Sequence, residues 1–216
     1  MGYRIGVDIG GSHISVGVVN EKGELITKEP YNKDMVITEF AQIIDGMTEG
    51  ICYCMHEQNI LWEEIKQIGI SAPGRHQNGK TITWGRNIQI FDTNTEEELR
   101  NALEKKDIDS KGINIKIAND VHCAAIAELM SGSLIGSKNA VCLTFGTGVG
   151  GGIIINGKLY EGENNLAGRI GHTLVGQATL EELCSIKRLK EKIGEEKGLR
   201  NNNIRRRVGQ IFRRER

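Results

Sequence analysis

The chain has 216 residues, 28 basic and 28 acidic side chains, no net charge, and only 5% aromatic residues. That balance excludes a global attraction to nucleic acid or an anionic membrane, and leaves few rings on which bases could stack. No apolar run approaches the roughly 20 residues of a membrane helix, and the N-terminus enters strand pattern directly, so a cytoplasmic setting is expected.

Ile5, Val7 and Ile9 alternate, as do Ile14, Val16 and Val18, which predicts strands on both sides of Asp8-Ile9-Gly10-Gly11-Ser12. Glu21-Lys22-Gly23 reads as the next turn, with a third strand near Leu25. Val36, Phe40, Ile43, Ile44, Met47 and Ile51 recur at helical spacing and predict an amphipathic helix. Ile68 and Ile70 form a short strand ending at the turn Ser71-Ala72-Pro73-Gly74, and Thr95 to Lys105 a second helix. Ile113, Ile115 and Ile117 alternate as a strand leading into Asn119-Asp120, where Asn119 is suited to cap a helix carrying Ala124 and Ala125.

Val141, Leu143 and Phe145 predict a strand running into Gly146-Thr147-Gly148-Val149-Gly150-Gly151-Gly152. Ile153 to Ile155 return, and Asn156-Gly157 is a strong hairpin signal. Strand, glycine turn and strand thus occur in both halves. This places an N-terminal α/β lobe at 1–118, a partial C-terminal α/β lobe at 119–198 and a basic, disordered tail at 199–216. The tail's abrupt change of composition also suits a truncated or frame-shifted product. Five cysteines, at 52, 54, 123, 142 and 184, read as free thiols in a reducing compartment.

Glycine lacks a Cβ and admits positive φ, so successive N–H groups in both turns could converge on one anion, as in a nucleotide-dependent phosphotransferase. Residues 146–151 match G-x-G-x-x-G, but strand rather than helix follows, so a dinucleotide fingerprint fails on context. Asp8, at the end of a strand, could hold Mg²⁺ through water beside the phosphates. Asp120, at a helix start, could take a proton from a substrate hydroxyl or simply cap the helix dipole.

Taken in order, these motifs resemble the ROK family of bacterial sugar kinases and relatives, from about residue 3 to about residue 190. The resemblance implies an α/β fold of the two-lobed, actin-like ATPase (ribonuclease H-like) type with the second lobe incomplete. It implies ATP and Mg²⁺ as cofactors, a hexose or amino sugar as substrate, and a possible homodimer, without nucleic-acid or membrane partners. Asp8-Ile9-Gly10-Gly11-Ser12 resembles the first phosphate motif, and Gly146 to Gly152 the second. Gly10, Gly11, Ser12, Gly146, Thr147, Gly148, Gly150 and Gly151 would therefore bind the nucleotide, with Asp8 on Mg²⁺. Asn119-Asp120 resembles the catalytic segment, with Asp120 as general base. Asn87, Asn119, His172 and Glu181 stand where the family contacts sugar, and Ala167-Gly168-Arg169-Ile170-Gly171-His172 resembles the sugar- and zinc-binding segment.

Two departures bear on function. The family normally has Glu where this chain has Arg169, and arginine offers donors but no acceptor. The cysteine-rich loop after the histidine is missing, which leaves His172 with remote Cys184 and predicts no zinc site. Two readings follow: an ATP-dependent sugar kinase, or a truncated, non-catalytic relative with weak or no ligand binding.

Overall fold

Alternating burial organises the first sheet of the computed structural model, which describes residues 2–27, 29–34, 39–85 and 88–197. Strand β1 (Tyr3–Ile9) buries Ile5, Val7 and Ile9, and β2 (His13–Val19) buries Ile14, Val16 and Val18. They pair antiparallel from Arg4↔Val19 to Ile9↔Ile14, so the glycine turn joins them directly. The third strand is β3 (Tyr31–Asp34), which pairs antiparallel with β2. It is not at Leu25, which makes only an isolated bridge to Val19. Polar Tyr-Asn-Lys-Asp has no apolar alternation, so its strand state comes from pairing rather than from pattern.

On the other side of β1, strands β4 (Ile65–Ala72) and β8 (Asn114–Asn119) run parallel to it, giving the sheet order β3-β2-β1-β4-β8. Helix α1 (Phe40–Gln58) covers the sheet with Ile43, Ile44, Met47, Ile51, Cys54 and Met55, all buried. It starts with a reciprocal Glu39/Gln42 capping box and stops at Asn59, whose φ of 52° is left-handed. Gly50 lets it approach closely, because a side chain there would meet Tyr31 and Val16.

Between β4 and β8 the chain inserts a small antiparallel sheet, β5 (Arg75–Gln77), β6 (Thr81–Gly85) and β7 (Ile90–Asn94), which the sequence pattern did not reveal. Helix α2 (Thr95–Glu104) follows, capped by the Asn94 side chain accepting from Glu97 N–H at 3.3 Å. Its half-buried Arg100 pairs with Glu96 at 2.8 Å and donates to the carbonyls of Ser110 and Ile113, tying the helix to the approach to β8.

The chain divides into two compact units after Cys123, inside helix α3 (Asp120–Ser131) and a few residues past the end of β8 where the sequence reading put it. The second unit holds an antiparallel meander of β9 (Ala140–Phe145), β10 (Val149–Ile155) and β11 (Lys158–Tyr160). Asn156 and Gly157, at φ 53° and 73°, make its second turn, the positive-φ pair that an Asn-Gly hairpin needs. Strands β12 (Leu174–Val175) and β13 (Ala178–Thr179) form a short hairpin before helices α4 (Leu180–Cys184) and α5 (Ile186–Lys197).

The two sheets share the opening plan of three antiparallel strands. In the first unit β1 then receives β4 and β8; among the described residues of the second, the sheet stops at β9. Val141, Leu143 and Phe145 on one face of β9 are accordingly 56%, 45% and 43% exposed. No helix among the described residues is long and apolar enough to cross a membrane.

Candidate active site

The parallel strands β1, β4 and β8 place their carboxyl ends side by side, with Asp8 opposite Ser71 and Ala72 opposite Asn119. In open α/β sheets, ligands collect beyond that edge, where strands give way to loops and helix starts. Here the edge carries Asp8, Ser71, Asn119 and, at the first residue of α3, Asp120.

Asp8 has an exposed side chain (54%), and its Oδ1 accepts the Ser71 hydroxyl at 2.7 Å. Its Oδ2 lies 3.7 Å from His13 Nε2. An exposed carboxylate with one oxygen braced by a hydroxyl and the other near only a histidine ring fits a hydrated Mg²⁺ held through water rather than an enclosed cation. Asn119 is already occupied by structure. Its Oδ1 accepts from the N–H groups of Val121 (3.1 Å) and His122 (3.3 Å), and its Nδ2 donates to the Gly74 carbonyl at 3.2 Å. That capping role fixes the direction in which α3 leaves the sheet, and with it Asp120.

The Asp120 carboxyl is pushed above its ordinary value, first by burial and then by the negative charge of Asp8, against the opposing pull of the Val121 N–H at 2.9 Å. Cys123, one helical turn on, is also raised, mainly by burial and further by Asp120 and Asp8, with the Ser71 hydroxyl pulling the other way. It is thus a protonated thiol rather than a nucleophile.

The glycine turns differ from expectation in an instructive way. None of Gly10, Gly11, Gly146, Gly148, Gly150 or Gly151 has positive φ. What these turns use is mainly the missing Cβ. At Gly10 a side chain would collide with the His13 ring, whereas at Gly11 the space is open. Gly150, Gly151 and Gly152, expected within the phosphate turn, lie inside strand β10. A Cβ at Gly151 would stand 2.9 Å from the Gly168 carbonyl, and one at Gly171 would strike the Val149 carbonyl. These glycines let the Ala167–His172 segment lie flat on β10.

The turns proper are Gly10–Ser12 and Gly146–Gly148, and their amides can be accounted for one by one. Gly10 N–H donates to the His13 carbonyl and Gly146 N–H to the Gly148 carbonyl, both at 2.9 Å. Val149 N–H donates to Glu181 Oε2, also at 2.9 Å. Within the described residues, Gly11 and Ser12 in one turn and Thr147 and Gly148 in the other keep N–H groups that no protein acceptor takes. Each turn therefore offers two adjacent donors to an anion.

His172 ends a 3₁₀ turn (Ile170–His172) and is exposed, while the Cys184 thiol donates to the Leu180 carbonyl at 3.0 Å. Asn87 and the tail lie outside the described residues. Ser71, His13 and Cys123 were missed as site residues. Only the strand pairing that sets Ser71 opposite Asp8, and the helical spacing from Asp120 to Cys123, could have marked two of them.

A three-stranded meander extended by two parallel strands, repeated in part by a second meander and carrying a glycine hairpin in each, defines an actin-like ATPase fold whose second sheet is the shorter. The chain belongs to the ROK family, whose model matches residues 4–206. The Streptomyces coelicolor glucokinase is 32% identical over 80% of this chain and 50% of its own length. A beta-glucoside kinase of Listeria innocua is 35% identical over 76% of this chain and 51% of its own. Among solved structures, a ROK family glucokinase from Streptomyces griseus in complex with glucose and AMPPNP aligns with a TM-score of 0.75. That alignment has 26% identity over 91% of this chain and 62% of that one. The chain spans between 50% and 65% of the length of these curated relatives and of an uncharacterized Clostridium perfringens protein.

Proposed function

We propose that this protein is an ATP-dependent sugar kinase that transfers the γ-phosphoryl group to a hydroxyl of a hexose or amino sugar. The observation that carries the proposal is the half-buried Asp120 carboxyl, raised by desolvation and by the charge of Asp8, at the carboxyl edge of the parallel strands. A carboxylate made more basic by its surroundings is suited to accept a hydroxyl proton. In that step Asp120 takes the proton, the sugar oxygen bonds to the γ-phosphorus, and the bond to the β–γ bridging oxygen breaks, its electron pair leaving with ADP.

Mg²⁺, when bound, neutralises phosphate charge, and Asp8 would hold it through water with Ser71 fixing the carboxylate. The free amides of Gly11, Ser12, Thr147 and Gly148 would donate to phosphate oxygens, while His172 and Glu181 would contact the sugar. Asn119 would serve the sugar by orienting Asp120 as well as by any direct contact. A glucokinase and a beta-glucoside kinase among the relatives support a sugar acceptor, and the AMPPNP complex of the structural neighbour supports the nucleotide.

A second reading, a relative that no longer catalyses, is favoured by Arg169 standing where the family carries an acceptor carboxylate. The test is ADP release from the purified protein with ATP, Mg²⁺ and a panel of hexoses and N-acetylhexosamines. Sugar-dependent release that Asp120→Asn abolishes supports the kinase; equal inertness of both proteins supports the second reading.

A further inference from the structure

The second glycine turn is held by a residue far along the chain. Glu181, in the first turn of α4, turns its carboxylate under the hairpin so that Oε2 accepts the Val149 N–H at 2.9 Å. Helix α4 is itself fixed by a Thr179/Glu182 capping box, so Glu181 projects from a braced element. A Cβ on Gly148 would clash with the same oxygen. Lys187 N–H, at the start of α5, reaches the Gly146 carbonyl at 3.4 Å and gives the turn a second, weaker anchor. Oε1 accepts no hydrogen bond from the described residues.

We infer that Glu181 is a positioning residue for the second phosphate turn, acting through the Val149 amide, in addition to any contact it makes with an acceptor. A carboxylate this close to a phosphate turn is unfavourable electrostatically, so its presence needs a compensating task. The task visible here is selection. By consuming the Val149 amide, Glu181 fixes the end of the turn and leaves the Thr147 and Gly148 N–H groups as its adjacent pair of donors. It also accounts for Gly148, whose φ is not left-handed: a side chain there would collide with the carboxylate.

The occupant of the turn rests on the kinase reading, but the tether itself does not. In the full chain without nucleotide, Glu181→Ala should speed amide exchange at Val149 by about tenfold, the loss expected for one charge-assisted hydrogen bond. Glu181→Gln keeps an acceptor oxygen and should stay within about threefold of wild type. Gly148→Ala should displace the carboxylate and reproduce the Glu181→Ala exchange rate, and the double variant should be no faster than either single one. AMPPNP titration should follow the same order, with Glu181→Ala and Gly148→Ala each weakened about tenfold and Glu181→Gln close to wild type. Unchanged Val149 exchange in Glu181→Ala, or additive effects in the double variant, would overturn the tether. A wild type that binds no AMPPNP would overturn the kinase reading instead, with exchange still deciding the tether.

Discussion

Replacing Asp120 by Asn separates proton acceptance from geometry, because the Asn carbonyl can still receive the Val121 N–H that Asp120 accepts at 2.9 Å. The cap from Asn119 is untouched, so α3 should begin in the same place. What disappears is the base. General-base catalysis contributes about 10²- to 10⁴-fold, so the rate of sugar phosphorylation should fall by that factor. At 1.36 kcal/mol per decade this is about 2.7 to 5.4 kcal/mol of barrier.

Stability should move the other way. A carboxyl whose folded-state pKa is raised favours the fold while protonated, below its ordinary value of 3.8, and loses that benefit as pH rises through the folded value. At neutral pH the native protein therefore carries the cost of a partly buried charge beside Asp8, which Asn removes. The melting temperature of Asp120→Asn should exceed that of wild type at pH 7, with the gap closing as pH falls below 3.8. The wild-type rate should decline with falling pH through a value above 3.8, and this limb should be absent from the residual rate of the variant. Coupled-enzyme measurement of ADP and thermal melts across pH test both halves. A variant within twofold of wild-type rate, or one less stable at pH 7, would refute the reasoning.

Ser71→Ala removes the hydroxyl that braces Asp8 Oδ1, and the Mg²⁺ concentration for half-maximal ADP release should rise about two- to tenfold, the worth of one modest hydrogen bond, with Ser71→Thr restoring it. Gly168→Ala should destabilise by about 2–5 kcal/mol, combining a φ of +77° with a Cβ driven into the Gly151 carbonyl, and chemical denaturation would measure it. Arg100→Ala should cost about 2–4 kcal/mol, because it strips the buried Glu96 of a half-buried partner and frees the carbonyls of Ser110 and Ile113. Burial pushes Glu96 upward, but Arg100 and Lys80 more than offset this and hold it below its ordinary value of 4.5. Its contribution is thus present at neutral pH and lost as pH falls through that lowered value, so acid should narrow the gap between Arg100→Ala and wild type.

The elements legible in the sequence are those whose burial is one-sided. Ile5, Val7 and Ile9 alternate because one face of β1 meets α1, and Ile43, Met47 and Ile51 recur because one stripe of α1 meets the sheet. The unread elements lack that asymmetry. Strand β3 is Tyr-Asn-Lys-Asp at a sheet edge, and β5 to β7 are short strands with polar or aromatic residues on the open side. Residues at the site followed the same division. Asp8, Asn119 and Asp120 stand at the ends of readable elements, so their place could be read from sequence. Ser71 could not, since its role depends on lying opposite Asp8 across a parallel pair.

Glycine spacing located both turns but could not say which amides remain free, because that depends on acceptors elsewhere. In the first hairpin the acceptor is local, the His13 carbonyl three residues on. In the second it is the Gly148 carbonyl for one amide and Glu181, 32 residues away, for another. Seven residues with five glycines suggest a continuous nest of donors. Folding instead spends three of those glycines, 150 to 152, in strand β10, where at Gly151 the absent side chain lets the Gly168 segment pack against the strand. A glycine-rich run therefore sets an upper limit on anion-binding amides. The donors left over are fixed by the protein acceptors that reach them first, and in this turn Glu181 is the distant acceptor that sets the number.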